Sequence, residues 1–353
     1  MPELDAIRGM AILGVLVYHG FYVMMGPTGF SHGQRIFLTA TWPGRLGVNL
    51  FFVLSGFLIT GILLDSRQRQ DYYRRFYLRR ALRILPAYMA LLVILALFRY
   101  PPPFLFLSLV YLSNLAPLFG IGIAYSVLWS LSVEEHFYFV WPLIVRSISN
   151  RSLLWLSLSI VAISPFIRWI SFQHAHDYTF NEYTWNSADG LACGAVIAIL
   201  VRQRMDDRTY LVRIVCAAIF LAVLFAPFAV VARQNKMGAA LQIVPWHFLF
   251  VGVLGSFLLI GTTQWKWLVQ GRVLRFFGHI SYGLYLIHSL VFREYDRFVA
   301  SEGLWDLAKR FACVLAVATV LAWLSREFFE ERFLRMKTKW VRAPKGERVP
   351  IAD

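Results

Sequence analysis

The stretch Leu4–Met24, LDAIRGMAILGVLVYHGFYVM, has the length and apolar content of a membrane-crossing helix, yet it carries Arg8 near its start and His19 well inside. At about 100° per residue, eleven steps return to nearly the same helical face, about 16 Å further along the axis. Two side chains that are costly in lipid therefore point into one common space at different depths. A charge at mid-bilayer costs about 2.5–3.5 kcal/mol even on lenient insertion scales, so each such residue needs a partner, a watery cavity or a function. The apolar pattern of this stretch repeats along the chain and sets the fold class. The polar exceptions within that pattern locate the chemistry.

Of the 353 residues, 58% are hydrophobic, well above the usual 45–50% or so of soluble domains. Apolar segments of membrane length lie near 4–25, 46–65, 82–98, 152–171, 187–201, 210–232, 244–263, 276–293 and 308–329. The stretch 104–145 adds two apolar runs split by GIGIAYS, expected to give one net crossing with a re-entrant or broken part. The chain is thus expected to be an all-α polytopic membrane helix bundle of about ten transmembrane helices. Residues 1–331 would form the membrane domain and 332–353 a short basic cytoplasmic tail. The net charge of +15 follows from topology rather than from nucleic-acid binding. With ten spans and both termini in the cytoplasm, Arg8, the arginines of 67–83 and the basic residues of 146–151, 202–213, 266–275 and 326–348 all fall inside. Eleven spans would place several of those basic loops outside. Glu3, Asp5, His19 and the lack of a small-residue cleavage site argue against a cleaved signal peptide. Cys193, Cys216 and Cys313 lie in apolar segments without metal or disulfide spacing, and no metal or permanently bound cofactor is expected.

Three further polar clusters interrupt apolar sequence. In RQRQDYYRRFYLRRALRILPAY, Arg67–Tyr88, the side chains Arg75, Arg79, Arg80 and Arg83 recur at helical spacing, and Pro86 is expected to disrupt the helix above them. Guanidinium clusters at a membrane mouth suit a polyphosphorylated ligand, since each fork grips phosphate oxygens with two bonds. The bland reading is a positive-inside loop. In YSVLWSLSVEEHFYFVWPL, Tyr125–Leu143, Ser132, Glu134, Glu135 and His136 stand together. They form either a structural polar knot or a carboxylate that orients or charges a catalytic histidine. In RFFGHISYGLYLIHSLV, Arg275–Val291, the residues Ser281, Tyr285 and His288 line one helical stripe and are candidate binding groups.

Taken in order, these segments resemble the acyltransferase-3 family of bacterial integral-membrane O-acyltransferases. The matching stretches are RGMAILGVLVYH, GVNLFFVLSGFLIT, RRFYLRRALRILP, WSLSVEEHFYFVWP, SADGLACGAVIA and GHISYGLYLIHS, from Arg8 to about Ser289. The resemblance implies transfer of an acyl group, usually acetyl, from cytoplasmic acyl-CoA to a hydroxyl of an envelope carbohydrate or a related small molecule. A macrolide antibiotic would also fit. It implies catalytic Arg8, His19 and Glu134, donor-binding arginines around Arg80 and Arg83, and a location in the bacterial inner membrane. Asn49 stands where an Asp is common, His136 replaces a frequent Gln, and Ser187 replaces a frequent Arg. Asn49, Ser132, Asp189, Ser281, Tyr285 and His288 are assigned to the acceptor side or the cavity wall. The expected mechanism has His19 as general base on the acceptor hydroxyl, with Glu134 within reach of it; an acyl-histidine intermediate is equally compatible. The outer loop 171–186 has aromatic and acidic groups suited to sugars. Some relatives carry a hydrolase-like domain outside the membrane, and this chain is expected to be the stand-alone membrane domain. A transporter or flippase is the alternative of a different class, since intramembrane His and Glu also serve proton relays.

Overall fold

The computed structural model describes residues 1–24, 30–174, 182–204, 207–231, 240–301 and 303–340. These residues form helices and connecting turns, with no strand among them. In chain order the α-helices are α1 (Pro2–Gly20), α2 (His32–Ala40), α3 (Gly47–Asp65), α4 (Tyr72–Leu97), α5 (Pro102–Leu109), α6 (Leu128–Ser147) and α7 (Asn150–His174). They continue as α8 (Thr184–Gln203), α9 (Arg208–Val231), α10 (Val244–Gly261), α11 (Arg272–His279), α12 (Ser281–Phe298), α13 (Leu304–Leu324) and α14 (Glu331–Trp340), the last two joined by a π-helical turn over Ser325–Glu330. Among the described residues, eight helical segments are long and apolar enough to cross a membrane. The helices α6 and α12 have comparable length, 20 and 18 residues, but α6 carries Glu134 and Glu135 and α12 carries Arg293, Glu294, Asp296 and Arg297, and about ten crossings require both. The expected broken segment takes the form of α5 followed by a 3-10 turn at Ser113–Phe119. At 8 residues α5 is about 12 Å long, too short to cross. The protein is an all-α, multi-pass membrane protein.

The helices divide into two compact units. The first comprises Met1–Val48, Tyr73–Arg99 and Gln270–Asp353. Its helix α1 begins with Pro2 in the first turn and with Glu3 and Asp5 facing the helix N-terminus, where proline and acids are favoured. The helices α1 and α11 cross at backbone contact: a Cβ on Gly9 would collide with the Leu274 carbonyl, and one on Gly278 with the Asp5 carbonyl. Small residues at both positions allow this approach, as in other helix pairs that pack within lipid. Past the end of α1, Phe21, Phe30, Leu38 and Leu307 form a buried apolar cluster. The Ser31–Gln34 capping box starts α2 beside it.

Pro86 lies inside an unbroken α4 rather than ending it. Proline removes one backbone donor, which a membrane helix tolerates when neighbouring groups satisfy nearby carbonyls. Tyr282 of α12 donates its hydroxyl hydrogen to the Ile84 carbonyl, 2.9 Å away.

The second unit comprises Asn49–Tyr72 and Tyr100–Val269. Its helices α3 and α8 cross by the same device, Gly56 against the Leu191 carbonyl and Gly194 against that of Val53. Trp141 of α6 donates to Thr60 of α3 at 2.9 Å, and Tyr72 donates to the Pro142 carbonyl at 3.0 Å. At the rim, Arg202 grips Asp65 with two bonds of 2.7 Å. Of the expected outer loop 171–186, residues 175–181 lie outside the described residues, as do 341–353 of the expected basic tail.

Candidate functional site

In the first unit, Arg8 and His19 share the continuous helix α1, so the eleven-residue spacing does place them on one face. Arg8 turns towards the helix start, with Nη1 donating to Asp5 at 2.8 Å. His19 sits in the last turn of α1, at the far end of the helix rather than at its middle. Its Nδ1 lies 2.9 Å from the Val15 carbonyl. A carbonyl can only accept, so Nδ1 carries a proton, and in the neutral ring Nε2 keeps its lone pair. The ring packs edge-on against His288 of α12, with centroids 5.0 Å apart, and against Tyr18 at 5.1 Å.

His288 is fully buried and repeats the arrangement of His19. Its Nδ1 reaches the Tyr285 carbonyl at 2.7 Å and that of Leu284 at 3.2 Å, and its Nε2 has no hydrogen-bond partner among the described residues. Two imidazoles therefore stand together with both Nδ1 atoms committed to backbone carbonyls, so that in each neutral ring the lone pair is on Nε2. Tyr285 lies beside His288, with ring centroids 5.6 Å apart, while Ser281 turns back to the Gly278 carbonyl at 2.8 Å. The stripe Ser281–Tyr285–His288 thus faces the interior of the unit, and its last member meets His19.

The arginines Arg75, Arg79, Arg80 and Arg83 lie on one stretch of α4, within the first unit. All four have polar, ionic or ring partners. Arg80 stands 5.9 Å from the Phe76 ring centroid, and Arg83 lies within electrostatic reach of the buried Glu330.

In the second unit the Glu134–His136 cluster divides. Glu134 accepts hydrogen bonds from Ser55 at 2.9 Å and Tyr138 at 3.0 Å. His136 meets the Thr184 hydroxyl at 2.7 Å instead, because positions two apart on a helix face different directions. Asn114 also donates to Thr184, at 2.9 Å, and Ser132 pairs with Ser113 at 2.8 Å. Glu134 belongs to the second unit and His19 to the first.

Two of the sequence candidates, Asn49 and Asp189, come together through a residue that the sequence reading missed. His247 of α10 lies 3.3 Å from Asp189 by Nδ1 and 3.2 Å from Asn49 by Nε2. Arg168 of α7 completes the network: its Nη1 is 2.7 Å from Asp189 and donates to the Asn186 carbonyl at 2.7 Å, and its Nε donates to the Ala240 carbonyl at 2.9 Å. Arg168, Asp189 and His247 are all buried. Asn49 does leave a neutral amide at its own position, and the carboxylate of this network comes from Asp189 on α8. In the first unit the missed pair is Asp296 and Arg310, joined by bonds of 2.6 and 2.8 Å. The signal that could have found Arg168, His247 and Arg310 was the one applied to Arg8 and His19, a costly side chain inside an apolar run. Among the described residues, no group of three or more His, Cys, Asp or Glu side chains is placed to hold a metal ion.

The acyltransferase-3 family model, described as an acyltransferase domain, matches residues 1–327. The Listeria monocytogenes peptidoglycan O-acetyltransferase OatA is 30% identical over 164 residues, covering 40% of this chain and 24% of that protein. The Staphylococcus aureus O-acetyltransferase OatA is 28% identical over 177 residues, 43% of this chain and 26% of the relative. A candidate O-acetyltransferase of the same species is 26% identical over 332 residues, 82% of this chain and 50% of the relative. The matches thus span half or less of these relatives' own length. No solved structure matches.

Proposed function

The chain belongs to the acyltransferase-3 family, and from that premise we propose that it moves an acetyl group from acetyl-CoA to a hydroxyl of a cell-envelope carbohydrate. The observation that carries the reading is His19: its Nδ1–H is committed to the Val15 carbonyl, which leaves Nε2 as a base at the end of a membrane helix. In the proposed reaction Nε2 takes the acceptor hydroxyl proton. The oxygen then bonds to the acyl carbon, the carbon–sulfur bond of the thioester breaks, and the departing thiolate takes the proton from His19 as CoA thiol. Each reactant atom is accounted for and His19 returns to its starting form. The committed Nδ1–H also fixes the ring about its own axis, so the base is oriented before substrate arrives.

In this reading Arg75, Arg79, Arg80 and Arg83 hold the phosphates of the donor. Arg8 positions the donor, and Ser281, Tyr285 and His288 of the same unit serve the acceptor side. The phosphates stay at the cytoplasmic face while the thioester reaches up towards His19, which spares the cell from exporting acetyl-CoA. Both termini are proposed to be cytoplasmic, in the inner membrane, as the distribution of basic residues favours; reporter fusions at the two ends that disagree would overturn this. The carbohydrate acceptor draws support from the names of the O-acetyltransferase relatives. The test is CoA release by the purified protein with acetyl-CoA and an envelope glycan, coupled to mass spectrometry of envelope glycans from cells with and without the protein. A glycan that gains an acetyl ester only when the protein is present supports the proposal. Unaltered glycans and no CoA release would sink it.

A further inference from the structure

The end of α1 is held in an unusual way. The last carbonyls of a helix have no partner within the helix and are normally met by water, a following turn or a cap. At the end of α1, Arg310 of α13 donates through Nη1 to the carbonyls of Gly20, at 2.9 Å, and His19, at 3.4 Å. The same guanidinium uses Nε and Nη2 on the two carboxylate oxygens of Asp296, on α12, and its Cζ lies 4.4 Å from the Phe292 ring centroid. Arg310 is 2% exposed. Directly behind it, Phe311 closes on Gly20, where an added Cβ would come within 2.5 Å of the ring.

A buried ion pair is a weak source of stability, because desolvation of both ions offsets their attraction. This pair does something that two apolar side chains could not: it ties the backbone of His19 to α13, and through Asp296 to the helix that carries His288. We propose that Arg310, held by Asp296, is a positioning residue for His19. The inference rests on the reading of His19 as the reacting base. The last turn of a helix frays unless it is tied, and a displacement of about 1 Å at a reacting group can cost about a hundred-fold in rate. His19 is fixed at both ends of the residue: the imidazole Nδ1 bonds one turn back to Val15, and the carbonyl bonds forward to Arg310. A cation at this terminus also suits the negative end of the helix dipole. Lysine could not replace the arginine, since one ammonium cannot span the carboxylate and two carbonyls in a fixed plane.

The experiment uses the full chain purified in detergent, as wild type, Arg310→Lys, and the exchanged double variant Asp296→Arg with Arg310→Asp. Three quantities are read: thermal unfolding, kcat and KM for acetyl-CoA-dependent CoA release with a glycan acceptor, and the rate at which diethyl pyrocarbonate modifies His19, followed by peptide mass spectrometry. Arg310→Lys is expected to lower kcat about ten- to a hundred-fold, with KM for acetyl-CoA changed less than about two-fold, and to change the modification rate of His19. The exchanged variant restores the ion pair but puts a carboxylate where the carbonyls need a donor. It is expected to recover thermal stability relative to Arg310→Lys while kcat stays low and His19 reactivity stays altered. Wild-type kcat in Arg310→Lys, or recovery of kcat together with stability on exchange, would overturn the proposal and leave the pair a packing feature. If the wild type releases no CoA, the proposed function fails. The modification rates then decide this inference alone, and equal His19 reactivity in all three proteins refutes it.

Discussion

Arg310 in the first unit and Arg168 in the second each meet an aspartate and two backbone carbonyls, but they close their surroundings differently. Around Arg168 the network is sealed: Asp189 is 1% exposed, and its oxygens are shared with His247, which in turn meets Asn49. The carbonyls it holds, Asn186 and Ala240, belong to the first turn of α8 and to the approach to α10. Around Arg310 the partner Asp296 has 35% of its side chain exposed, and the carbonyls it holds end the helix that presents His19. In the sealed network the members compensate one another's desolvation, although Arg168 Nη2 has no hydrogen-bond partner among the described residues. A half-open clamp leaves one side of its surroundings free to change and fixes the last two residues of α1. The comparison therefore separates a framework arginine from one that, in the proposed reaction, positions the base.

Substitutions test that separation. The largest effect on turnover is expected from His19→Ala, which removes the base and should lower kcat by about 10²–10⁴-fold, with acetyl-CoA binding kept. An active His19→Ala enzyme would detach the first unit's imidazole pair from the chemistry. Asp189→Asn strands the buried Arg168 charge and is expected to cost about 3–5 kcal/mol of stability, read as a lower unfolding midpoint in detergent. Asp296→Asn should cost less, because Asp296 is the more exposed carboxylate; equal losses would erase the distinction drawn here. Arg83→Ala should weaken acetyl-CoA binding about ten- to a hundred-fold, equivalent to about 1.5–3 kcal/mol for one lost charge-assisted contact, as measured by calorimetry. Unchanged binding would return the α4 arginines to a purely topological role. The smallest effect is expected from Ser132→Ala, which breaks the Ser113–Ser132 hydroxyl pair at a cost of about 0.5–1.5 kcal/mol. A rise of more than about ten-fold in the KM of the acceptor would mark Ser132 as an acceptor contact.

The polar residues legible in the sequence were those that shared a helix. Arg8 and His19 were read together because the helical period relates them, and Ser281, Tyr285 and His288 for the same reason. That 104–145 contains a broken part was visible as two apolar runs split by GIGIAYS, whereas its place in α5 and the following 3-10 turn was not. Pro86 misled, because its local cost is a rule about an isolated helix, and α4 runs through it within a packed unit. The pairing of Glu134 with His136 suggested by adjacency does not form, since adjacent letters in a helix diverge in space. The His19–His288 contact joins residues 269 positions apart and has no periodic signature. The same is true of Asn49 with His247 and of His19 with Arg310.

By itself, then, the sequence determined an all-helical membrane protein, the family of its motifs and the set of side chains that lipid alone would not tolerate. Hydropathy and helical period act over one or two turns and need no knowledge of the partner helix. Tertiary structure alone decided which of those side chains meet. An ion or imidazole in an apolar segment demands a partner by its desolvation energy, but that energy does not name the helix that supplies it. Close crossings at Gly9 and Gly278 in one unit, and at Gly56 and Gly194 in the other, fix which helices approach. In the first unit His19 and His288 thereby come into ring contact and Arg310 reaches the end of α1; in the second, Asp189 is enclosed with Arg168 and His247.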